Sequence, residues 1–89
     1  MKAVVTVVGK DRVGIIFDVT KVLAENNVNV LNISQTILDG YFTMIMITDI
    51  SNSNKSVAEL RETFSSLESK LGVDIRIQHE NIFNSMHNI

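Results

Sequence analysis

The chain has 89 residues, a formal net charge of -2, 45% hydrophobic and 20% charged residues, and no cysteine. That length fits one domain around one core, and that balance excludes a disordered chain. The missing cysteines exclude disulfides, thiolate metal sites and a cysteine nucleophile, and mild acidity with scattered Lys and Arg argues against a nucleic-acid surface.

No apolar run reaches bilayer length, and Met1-Lys2-Ala3-Val4-Val5 lacks the small-residue cleavage site of a signal peptide. No membrane association is expected, and the expected location is the cytoplasm. Ala3 to Val8 is a β-branched run, apolar on both faces as a central strand is, and Gly9 is expected to end it. A helix follows. Asp11 is its expected N-cap, and Ile15, Ile16, Val19, Val22 and Leu23 recur at helical spacing as one buried stripe. Gly14 falls in the first turn, where glycine costs stability; either tight packing or a ligand close to its backbone would account for it. Asn26-Asn27 ends the helix, because Asn tolerates the left-handed conformation of a C-cap.

Val28 to Leu38 reads as a strand whose alternation slips at Val30-Leu31, the mark of a bulge. Asp39-Gly40 between two alternating runs predicts a two-residue hairpin, with Tyr41 to Ile50 as the return strand. Ser51 to Asn54 is a polar loop able to cap the next helix, whose stripe is Val57, Leu60, Phe64, Leu67 and Leu71 and whose end is Gly72. Val73, Ile75 and Ile77 alternate with Asp74, Arg76 and Gln78 as a half-exposed edge strand. In the tail, 81–89, Ile82, Phe83, Met86 and Ile89 fall on one helical side, which predicts a short C-terminal helix.

The order β-α-β-β-α-β is that of an α+β, ferredoxin-like sandwich: a four-stranded antiparallel sheet with two helices on one face, residues 1–89 forming a single domain. Right-handed crossovers place the first and third strands at the centre. The second face has no helix, so either Met44, Met46 and Ile50 or Thr43, Ile45 and Ile47 lie uncovered, and a homodimer is expected.

Such a fold does not fix a function. The stretch that invites one is Val7 to Ile16, where a strand passes through a loop with two glycines into a helix whose first amides point outward. Gly9-Lys10-Asp11-Arg12-Val13-Gly14-Ile15, then Val19-x-x-Val22-Leu23-Ala24-Glu25, then Asn27-Val28-Asn29-Val30, resembles the ACT domain, the small-molecule sensing module of many enzymes of amino-acid metabolism. Ile33-Ser34-Gln35, Gly40 to Met44 and Glu80-x-Ile82-Phe83-x-x-Met86-His87 are similar to small bacterial proteins made of one ACT domain alone. The resemblance spans essentially the whole chain. It implies a non-enzymatic regulatory module without cofactor, binding a small molecule such as an amino acid between two copies. The ligand contacts it implies are Asp11, Arg12, Val13 and Gly14 of one copy and Asn29 and Asn32 of the other. Val13 departs from the family's usual Pro, which would preset the first-turn backbone.

Two other readings stand beside this one. The first is a ligand-free module for dimerisation or for docking a protein partner. The second is a small ferredoxin-like enzyme such as an acylphosphatase, with Arg12 holding a phosphate and an Asn orienting water. The loop lacks the run of glycines that wraps a phosphate, and Asp11 would repel one. His79, Glu80 and His87 have no closely spaced ligand pattern, so no metal is expected.

Overall fold

The hydrophobic periods sort the chain into β1 (Lys2–Lys10), α1 (Ile15–Glu25), β2 (Asn29–Leu38), β3 (Tyr41–Asp49), α2 (Val57–Leu71) and β4 (Asp74–His79). A computed structural model describes residues 1–10 and 14–81, with Leu38 described by its backbone alone. The strands form one antiparallel sheet in the order β2-β3-β1-β4, so the two doubly apolar strands are central. This is the expected ferredoxin-like arrangement.

Strand alternation then decides which side chains meet the helices. Ala3, Val5 and Val7 of β1 stand beside Thr48, Met46 and Met44 of β3, and all six are fully buried. Ile15, Val19 and Leu23 of α1 and Leu60, Phe64 and Leu71 of α2 close over them. Thr48 is the polar member of this layer, and its hydroxyl donates to the Ala3 carbonyl at 2.9 Å, so burial leaves it satisfied. Of the two candidate sets for the uncovered face, the structure selects Thr43, Ile45 and Ile47, which are half-buried on the side without helices.

Local chemistry sets most of the connections. Asp39 and Gly40 adopt φ 53° and 77°, the mirror-image turn that suits a two-residue hairpin. The bulge falls between Val30 and Asn32, leaving Leu31 out of register. Asn27 takes the left-handed conformation, φ 59°, just after α1. Gly72 caps α2 at φ 71°.

Four expectations need correction. Gly9 does not end β1 but lies within it, because a Cβ there would stand 2.5 Å from Val73 Cγ1 and only hydrogen fits. The helix begins later than an Asp11 cap requires: its N-cap position is Gly14, at φ 93°, with no side-chain hydrogen bond. Ile16 is not in the buried stripe but is 38% exposed. The cap of α2 is Ser56, beyond the Ser51–Asn54 loop, in a capping box with Glu59. Asp11, Arg12, Val13 and the tail residues Ile82, Phe83, Met86, His87 and Ile89 lie outside the described residues.

Candidate functional site

Sheet register places the two halves of the candidate site at opposite ends of one molecule. Lys10 pairs with Tyr41, and Tyr41 with Leu38, so the loop leading to Gly14 leaves the sheet at the hairpin end. Asn29 pairs with Asp49, which pairs with Lys2, so Asn29 starts β2 at the other end. The separation is close to a full strand length, roughly 25 Å. Within one copy, Gly14 and Asn29 cannot share a ligand.

At the first end, α1 begins on a bare left-handed glycine. A Cβ added to Gly14 would meet none of the described residues within 4 Å, so among them it is the positive φ and not crowding that calls for glycine. Gly14 accepts the Asp18 N–H at 2.9 Å. Gly14, at the cap position, has no side chain to bond the first-turn amides, which stand at the positive end of the dipole. Beside them α1 shows Ile16 and Phe17 to solvent, Phe17 at 66% exposure. Its exposure is the feature the stripe pattern passes over.

At the second end, Asn27, Val28, Asn29 and Asn52 line a shallow, wide-open depression. The Asn27 side-chain amide donates to Asn54 Oδ1 at 3.1 Å, which ties the end of α1 to the loop before α2. Asn32 pairs with Ile47 and therefore projects on the helix-free face. Between Asn29 and Asn32 the bulge at Leu31 interrupts the ladder to β3.

The perturbed carboxylates lie away from the Gly14 end and are structural. The Ser51 hydroxyl, at 2.6 Å, and the Ser51 N–H, at 2.9 Å, hold the Asp49 carboxyl below its usual range, helped by the Met1 amine. The Ser56 N–H and then its hydroxyl do the same for Glu59 in the capping box of α2. His79 is half-buried in the last pair of β4, opposite Ala3. Among the described residues, no three His, Cys, Asp or Glu side chains converge as a metal ion would need. Among them, too, no helix is long and apolar enough to cross a membrane.

Comparison with known proteins adds to this geometry. A family model described as ACT domain matches residues 2–78. A UPF0237 family protein of Clostridium perfringens is 65% identical over 89 residues, covering all of both chains. An ACT domain protein from Streptococcus pneumoniae superposes with a TM-score of 0.81 at 43% identity, over 93% of each chain. A formyltetrahydrofolate deformylase from Pseudomonas syringae contains a similar fold: TM-score 0.80 and 25% identity, over 88% of this chain but only 27% of the enzyme. This chain therefore belongs to the ACT domain family, and its full-length relatives include the UPF0237 proteins.

Proposed function

We propose that this chain is a non-enzymatic regulatory module that binds a small molecule, an amino acid by preference, between two copies of itself. The observation that supports this most is the start of α1 at Gly14, a left-handed cap residue with no side chain of its own to satisfy the first-turn amides. A zwitterion suits such a place. Its carboxylate takes the helix amides, and its ammonium needs oxygen acceptors. Asp11 and Arg12 flank the amides in sequence, with Val13 at the position where the family usually has Pro. The second half of the site comes from the partner's β2 start, Asn29 to Asn32. There Asn29 offers its side chain, and the bulge before Asn32 offers backbone groups, because the Asn32 side chain itself turns to the helix-free face.

The test is a thermal-shift screen of the full chain against the amino acids, with Gly14→Asn as the control. Asn tolerates positive φ, so this variant fills the open space with little strain on the helix start. A ligand at about a hundred times its Kd adds ~2.7 kcal/mol to the folded state, roughly 10 °C or more in Tm for a domain of this size. The expected result is a shift for one or a few amino acids that is lost in the variant. A folded dimer with no shift at millimolar concentrations would discard the reading. The second reading, a docking module for a protein partner, would then take over; the exposure of Phe17 beside the same helix start supports it.

A further inference from the structure

We infer that residues 82–89 fold back as a helix across the helix-free face of their own sheet and close it over Val4 and Ile47. The inference concerns a different surface from the ligand reading above, so either can fail without the other.

Burial on this face is uneven and rises toward one end. Val4, Thr6 and Val8 of β1 project away from the helices, because Ala3, Val5 and Val7 project toward them. Val8, nearest the hairpin end, is 40% exposed, Thr6 is half-buried, and Val4, near the other end, is 2% exposed. Their partners on β4 follow the same course: Asp74 and Arg76 are exposed and Gln78 is half-buried. Neighbouring strands flank a side chain but leave its tip to the layer above. A valine this deeply buried therefore has a cover. Val4 does not belong to the buried cluster that α1 and α2 close, which lies on the opposite face.

The chain offers an occupant at the right end. His79 closes β4 opposite Ala3, next to the Val4–Gln78 pair, and Glu80 and Asn81 are already helical. Residues 82–89 contain no Asp, Glu, Lys or Arg. In a continued helix Ile82, Phe83, Met86 and Ile89 share one side, with Asn84 and Asn88 opposite. An uncharged segment with an apolar stripe is stabilised by covering apolar surface. The reach also fits. Eight helical residues span about 12 Å, and two strand spacings, from β4 over β1 to β3, are about 10 Å. Met86, about 7 Å beyond Asn81, comes over the seam where Val4 pairs with Ile47. Such a helix stops short of the hairpin end, which agrees with the exposure of Val8. Because the segment is tethered beside this face, its own sheet sees it at a high effective concentration and a neighbour's does not.

The chain has no cysteine, so introduced thiols report on the face directly. Ile47→Cys and Val8→Cys variants of the full chain are labelled with a small maleimide, each with and without Met86→Asp, which sets a charge on the apolar side of the segment. Tm and circular dichroism confirm each fold. Met86→Asp is expected to speed labelling at position 47 about tenfold or more and to leave position 8 within about twofold. A short bismaleimide should link Ile47→Cys/Met86→Cys within one chain, and Ile47→Cys/Asn84→Cys about tenfold more slowly. Equal acceleration at both positions, no acceleration at position 47, or links mainly between two chains would overturn the inference. The last result would give the face to a neighbour's segment. A chain ending at Asn81 supplies a second reading: it should lose roughly 5 °C or more in Tm and bind a hydrophobic dye, and an unchanged Tm would overturn the inference. The labelling uses only full-length variants, so it decides the matter even where truncation prevents folding.

Discussion

Gly14 and Gly9 are both required, for opposite physical reasons. A Cβ on Gly14 would meet none of the described residues within 4 Å, and its backbone stands at φ 93°. Gly14→Ala should therefore destabilise the fold by about 1–2 kcal/mol through backbone strain alone, and Gly14→Asn by less; chemical denaturation measures both. Gly9 has an ordinary backbone and no space, since its imagined Cβ meets Val73 Cγ1 at 2.5 Å and Val73 Cβ at 2.9 Å. Gly9→Ala should cost about 1–3 kcal/mol by overpacking. Adding Val73→Ala removes the nearest atom but not the Cβ, so the double variant should be less destabilised than the sum, with a coupling of about 1 kcal/mol. Additive losses would mean that the contact is not what excludes a side chain at position 9. The sequence shows that both glycines are costly where they stand. Which cost each one avoids depends on a φ set by the loop's approach and on a neighbour 64 positions away, and neither is local.

Elements whose signals are local were legible. The Asp39-Gly40 turn, the slip at Val30-Leu31 and the α2 stripe each depend on residues a few positions apart, and each appears where the pattern places it. Ser56-x-x-Glu59 is equally local, and its capping box makes a clear prediction. Ser56→Ala should cost about 1 kcal/mol. Because Glu59 is held below its usual range by the Ser56 N–H and hydroxyl, the folded state binds its proton less readily than the unfolded chain. The stabilisation is complete above the ordinary glutamate range and fades as pH falls through the lower native value. Glu59→Gln should therefore flatten the acid limb of a Tm–pH profile, and an unchanged limb would deny the box that role. The start of α1 was misread because Asp11 suits a cap by type, whereas Gly14 occupies the cap by backbone geometry. The protected β4 edge was not legible, since Arg61 reaches Ile77 across 16 positions. The placement of the two proposed stretches at opposite ends was not legible, because only strand order puts Gly14 and Asn29 a sheet's length apart.

At the scale of the whole molecule, the proposed function makes assembly and binding one question. A site divided between copies, as proposed, exists only in the dimer, so a change that splits the dimer must abolish binding without touching a ligand contact. Ile37 allows this test. It is 59% exposed in one copy, so Ile37→Lys should leave the fold and its circular dichroism intact. Where two copies meet at this edge it sets a charged ammonium group there, the guard that open edges normally carry. Wild-type Tm should rise with protein concentration, because association stabilises only the folded state, while the variant's should not. Sedimentation should show the dimer Kd raised at least tenfold. The variant should also lose any amino-acid thermal shift, although the residue lies in neither half-site. Should the monomeric variant keep the full shift, the ligand must bind within one copy, and Asn29 to Asn32 would have no part in holding it. Should the variant remain a dimer, the exposed isoleucines of β2 are not what holds two copies together, and the helix-free face with Thr43, Ile45 and Ile47 becomes the surface to test.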